Sequence, residues 1–71
     1  MKKEKKTLKE LRKEIRFTQK EVSDGSGVPF STYVAYELGY RNPSLPAAQK
    51  LARFFKCKVE DINFSPSKQE G

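Results

Sequence analysis

Residues 18–43 read TQKEVSDGSGVPFSTYVAYELGYRNP, and the order of caps, breaks and apolar positions within them decides the fold. Thr18 stands three positions before Glu21, the spacing of a capping box in which each side chain satisfies an amide left open at a helix start. A helix over 18–25 follows, with Gln19 in its first turn and Val22 and Ser23 turned inward. Gly25 lowers helix propensity by about 1 kcal/mol relative to Ala, which predicts early fraying. Gly27, Val28 and Pro29 then force a bend that folds an apolar side chain in. No breaker interrupts Phe30 to Leu38, and Gly39 supplies the left-handed residue that commonly ends a helix. Helix, tight turn, second helix and stop make a helix-turn-helix.

Two helices this short cannot bury enough surface alone, so the flanking segments must complete a core. Upstream, Thr7 and Glu10 form a second capping box, and Leu8, Leu11 and Ile15 recur at spacings of three and four. That pattern predicts an amphipathic helix ending near Arg16, with one face to the core and Phe17 packed under the turn into the Thr18 cap. Downstream, the Asn42-Pro43 step disfavours helix, and Ser44 caps a further helix that tolerates Pro46 in its first turn. Leu45, Ala48, Leu51, Ala52 and Phe55 mark its core face, with Gln49, Lys50, Arg53 and Lys56 outside. Residues 59–62 read as a last short helix, and Phe64 closes the core. The expected fold class is therefore all-α: a compact five-helix bundle over residues 7–64, between a basic tail, 1–6, and a tail, 65–71, too polar to fold.

A chain of 71 residues holds one domain, and one of that size buries only about 60% of its unfolded surface. Its net charge of +6 favours a polyanionic partner such as nucleic acid. The excess is concentrated: residues 1–16 carry net +5 and residues 17–71 net +1. The lysines of the first six residues read as a solvated tail, or as an arm along DNA phosphates. No apolar run reaches the roughly 18 residues of a membrane span, and no secretion signal is visible, so a cytoplasmic protein without membrane contact is expected. Cys57 is the single cysteine, which forbids an internal disulfide and reads as a small buried hydrophobe.

Thr18-Gln19, Ser23, Ser26-Gly27-Val28, Ser31-Thr32, Tyr36-Glu37, Gly39 and Arg41-Asn42-Pro43 together resemble the Cro/C1-type (XRE-like) helix-turn-helix family of phage and bacterial repressors. With Leu11-Arg12 and Leu51-Ala52 the resemblance covers roughly residues 8–64. It implies a lambda-repressor-like DNA-binding domain, and Tyr33 and Tyr36 as the inward positions of helix 30–38. It also implies a looser contact at Ser26, where the family commonly has Leu.

The implied partner is double-stranded DNA, bound by a homodimer whose pairing either precedes binding or occurs only on the DNA. The resemblance places Thr18, Gln19 and Lys20 at one phosphate strand and Arg41 and Asn42 at another. It aims Phe30, Ser31, Thr32, Val34 and Ala35 at base edges in the major groove. Exposed amides at a helix start attract phosphate, and Ser, Thr and apolar groups can meet base edges and thymine methyls. Arg12 and Glu37 are implied to form a partly buried structural ion pair. One departure stands out: between Phe30 and Tyr36 there is no Gln, Arg, Asn or Lys. Such an apolar face reads bases through methyl contacts and DNA shape, or else meets a regulatory protein partner, as an antirepressor or antitoxin would.

Catalysis is not expected. The chain contains no His, and one Cys cannot build a zinc site, so neither imidazole base nor metal centre nor cofactor is implied. Gly25, Gly27 and Gly39 fit no nucleotide-binding loop, and Glu60 and Asp61 are adjacent residues that point apart.

Overall fold

In the computed structural model, which describes residues 5–64, the chain runs β1 (Lys6–Thr7), α1 (Leu8–Glu14), α2 (Gln19–Ser26), α3 (Phe30–Leu38), α4 (Leu45–Phe54), a 3-10 turn (Val59–Asp61) and β2 (Ile62–Asn63). The expectations for residues 1–4 and 65–71 lie outside the described residues.

The helix starts follow the caps written in the chain. Thr7 Oγ1 accepts from the Glu10 amide at 3.1 Å while Glu10 Oε1 accepts from the Thr7 amide at 2.9 Å. Thr18 and Glu21 repeat the box at 3.1 and 2.8 Å, and Ser44 Oγ accepts from the Ala47 amide at 3.3 Å. The helix ends share one device. At each of α1, α3 and α4 the chain turns back through a left-handed residue: Arg16 at φ 60°, Gly39 at 84° and Lys56 at 59°. The following amides, those of Phe17, Tyr40 and Cys57, bond back to the carbonyls of Arg12, Ala35 and Ala52.

Tyr33, Leu51 and Val22 are the largest fully buried side chains, and Leu8, Val28, Tyr36, Ala52 and Ile62 close around them. Leu11, Phe54, Phe55, Cys57 and Phe64 pack at the edge of this cluster. Burial, followed by the nearby Asp61 carboxylate, pushes the Cys57 thiol up, which favours its protonated form.

The structure departs from the sequence reading in five places. There are four α-helices, not five: residues 59–61 make one 3-10 turn, after which Ile62 is extended at φ −109°, ψ 132°. Ile62 and Asn63 instead pair in parallel with Lys6 and Thr7, tying the two ends of the domain together and taking Lys6 out of the tail. Ile15 is 44% exposed because α1 stops at Glu14, and the turn through Arg16 carries Ile15 off the core face. Leu45, 63% exposed, is the first residue of α4 and points to solvent before the core face begins at Ala48. Finally, α2 runs through Gly25 without fraying: a Cβ there would lie 2.4 Å from the Phe54 ring, so the glycine is what lets α4 approach α2. Phe17 packs edge-on against Phe54, with centroids 5.7 Å apart.

Candidate nucleic-acid interface

The α2–turn–α3 unit is held by its own short polar side chains. Ser23 Oγ, buried, donates to the Val28 carbonyl at 2.6 Å, and Ser26 Oγ accepts from the Val28 amide at 3.3 Å. Gly27, at φ 86°, supplies the left-handed step between them. Ser26, where an apolar contact is missing, thus satisfies a turn amide that would otherwise be stranded.

The orientation of α3 relative to α1 and α2 is set by one carboxylate. Glu37 lies in the last turn of α3 with only 3% of its side chain exposed, against 13% for Arg12. Its Oε2 accepts from Arg12 Nε of α1 and from the Tyr33 hydroxyl, each at 2.6 Å. Its Oε1 accepts from Gln19 Nε2 of α2 at 2.9 Å and from Arg12 Nη2 at 3.3 Å. Arg12 Nη1 adds a bond to the Phe17 carbonyl at 2.9 Å. Burial alone pushes the Glu37 carboxyl up, but donation from Arg12, Tyr33 and Gln19 outweighs it and holds the group below the ordinary carboxylate range. The same bond to Glu37 holds the Arg12 guanidinium higher still, and burial followed by the Glu37 hydrogen bond raises the Tyr33 phenol. Three helices therefore meet on one satisfied, ionised group.

Around this hub the residues singled out from sequence fall into three sets. At the start of α2, Thr18 is exposed, and its hydroxyl, accepting from the Glu21 amide, keeps its own proton to donate. Gln19 is half-buried and engaged with Glu37, and exposed Lys20 bonds Asp24 at 3.1 Å. That Lys–Asp pair is solvated and opens at small cost. Along α3, Phe30 is 46% exposed, Ser31 is exposed, and Thr32, Val34 and Ala35 are half-buried, with Leu38 open at 53%. Past the Gly39 turn, Tyr40, Arg41 and Asn42 are exposed. The structure brings Arg12, Glu37 and Gln19 into contact; no bond joins that cluster to Arg41. Pro29 leaves the first turn of α3 without a side-chain cap.

Over residues 8–62 the sequence matches the helix-turn-helix family. The chain belongs to that family. The family's Cro/C1-type members include regulators similar to this chain. One is an uncharacterised HTH-type transcriptional regulator of Archaeoglobus fulgidus, 46% identical over 55 residues that cover 78% of each chain. Another is the cryptic phage CTXphi transcriptional repressor RstR of Vibrio cholerae, 38% identical over 78% of this chain and 50% of the repressor. A third is the HTH-type transcriptional regulator AnsR of Bacillus subtilis, 40% identical over 78% of this chain and 47% of that protein. The helix-turn-helix chain thus spans about half the length of the latter two. No solved structure matches it. Among its described residues no helix is long and apolar enough to cross a membrane, and no group of three His, Cys, Asp or Glu could hold a metal ion.

Two members of the hub, Tyr33 and Gln19, go beyond the Arg12–Glu37 pair that the sequence implies. Tyr33 reads as a core residue, yet its spacing of four residues from Glu37 on one helix already puts the hydroxyl within reach of the carboxylate. The Gln19 bond to Glu37 carries no comparable local signal, since it joins residues 18 positions apart across two helices.

Proposed function

We propose that this helix-turn-helix protein is a sequence-specific, double-stranded DNA-binding transcriptional repressor that acts by operator occupancy, with α3 in the major groove. The observation that carries the reading is the hub at Glu37, which fixes α3 against the start of α2, so that a groove-facing helix and a phosphate-facing helix start move as one rigid unit. Thr18, Gln19 and Lys20 then meet one phosphate strand, Arg41 and Asn42 the other, while Phe30, Ser31, Thr32, Val34 and Ala35 face base edges. The likeness to a named phage repressor supports the repressor role. Two copies pair across a two-fold axis on half-sites about 34 Å apart, through the last short element at residues 59–62 and the loop before it.

Selection of bound duplexes from a random pool tests this, since a single motif with two-fold symmetry is the expected product. On that duplex affinity falls steeply with salt, and Arg41→Ala lowers the slope of log K against log salt by about one. If Arg41→Ala and Gln19→Ala both leave duplex affinity unchanged, the reading fails. A second reading is favoured by the absence of long polar side chains from residues 30–36: the apolar edge of α3, with Phe30 and Leu38 exposed, docks a regulatory protein as in an antirepressor or antitoxin. In that case the pool yields no motif.

A further inference from the structure

The Glu37 carboxylate has four donors, and they divide between its two oxygens. Oε2 is filled by Arg12 Nε and the Tyr33 hydroxyl at 2.6 Å each, which leaves Oε1 to take Gln19 Nε2 at 2.9 Å beside the longer Arg12 contact. Arg12 reaches across from another helix, whereas Tyr33 lies on α3 itself, one turn before Glu37, and is fully buried. Its ring cannot swing away, so its hydroxyl is the fixed point that sets the rotation of the carboxylate. Gln19 uses one hydrogen of its side-chain amide on Oε1, and the second remains for another acceptor. With the NH2 group held against Glu37, the amide cannot flip and turn its carbonyl toward an anion.

From this geometry we infer that Tyr33 is a positioning residue for DNA binding: through Glu37 it holds the Gln19 amide with its second hydrogen presented to a backbone phosphate. The inference rests on the DNA-binding reading above and adds to it a residue that never touches DNA. It makes the Gln19–phosphate contact conditional on a hydroxyl inside the core.

The test is a double-mutant cycle on the duplex selected by the wild-type protein, with Tyr33→Phe, Gln19→Ala and the double variant, at fixed salt and at a temperature where circular dichroism shows all four folded. Tyr33→Phe keeps the ring in place and is expected to weaken duplex binding roughly 3- to 10-fold, the worth of one hydrogen bond. In the Gln19→Ala background the same change is expected to have no effect. Replacing each backbone phosphate singly by a neutral methylphosphonate is expected to reveal one phosphate whose loss weakens the wild type but neither single variant. In the free protein, the Gln19 side-chain amide signals are expected to move toward those of a solvated glutamine in Tyr33→Phe, a change that loss of core packing alone does not predict. Additive losses on the selected duplex, or wild-type affinity in Tyr33→Phe, overturn this inference and leave the DNA reading standing. Failure of the wild type to select any duplex overturns both.

Discussion

Replacing Glu37 by Ala removes the acceptor on which α1, α2 and α3 converge, and the structure fixes how much that costs. The pair with Arg12 is almost desolvated, at 3% and 13% side-chain exposure, and breaking such a pair costs about 3–5 kcal/mol because the surviving charge is stranded. Arg12 keeps its bond to the Phe17 carbonyl and a little access to water, which puts its share at the lower end. The Tyr33 hydroxyl also loses its partner, a penalty of about 1–3 kcal/mol that water entering the space left by the side chain partly offsets. The net expectation is a loss of about 3 kcal/mol, out of about 4 to 10 available to a chain of this size. In a thermal melt followed by far-ultraviolet circular dichroism this is a drop of roughly 12–24 °C. The pH dependence gives a second, independent reading. Because the folded carboxyl sits below its unfolded value, the contribution of Glu37 is complete above about pH 4.3 and is lost as pH falls through the lower folded value. Wild-type stability should therefore fall more steeply than that of Glu37→Ala in the acid range below about pH 4. A loss under about 0.5 kcal/mol in urea, or parallel acid limbs for the two proteins, would refute the claim that a desolvated hub fixes α3.

Three further substitutions probe the scaffold. Gly25→Ala gains about 1 kcal/mol of helix propensity but drives a methyl into the Phe54 ring, at a cost of about 1–3 kcal/mol, so a net loss near 1 kcal/mol is expected in denaturant melts; a more stable variant contradicts the close approach of α2 and α4. Lys56→Gly relieves a left-handed non-glycine residue at the end of α4 and should raise stability by about 0.5–1 kcal/mol, whereas a destabilised variant would mean that the lysine side chain matters more than its backbone. Leu45→Ser, at a mostly exposed position, should change unfolding free energy by less than about 0.5 kcal/mol, and a larger loss in dilute, monomeric protein would return Leu45 to the core.

The boundary between what was legible in the sequence and what was not follows the range of the interaction. Caps act over three residues, so Thr7, Thr18 and Ser44 announced their helices, and Gly39 announced the end of α3 because only the glycine advertises a left-handed turn. Arg16 and Lys56 make the same turn with side chains attached, and nothing local distinguishes them from helix-forming residues, so the apolar spacing extends one step too far, to Ile15. Two-residue strands have no periodicity at all, and β1 exists only because the far end of the chain, at Ile62, lies beside it. Gly25 reads as a weakness until Phe54, 29 positions away, is known to press against it.

The hub combines both regimes. Tyr33 to Glu37 is a local spacing, while Arg12 and Gln19 reach that carboxylate from 25 and 18 positions away. Each partner alone has an ordinary reading, as a core tyrosine, a surface arginine or a solvated glutamine. Once four donors share one nearly buried carboxylate, however, none can be altered without re-aiming the others. Of the residues proposed to touch DNA, Thr18, Lys20, Phe30, Ser31, Arg41 and Asn42 are exposed, as binding residues on a fixed scaffold can be, while Gln19, Thr32, Val34 and Ala35 are half-buried. Their common geometry rests on a group sealed from the solvent in which they act.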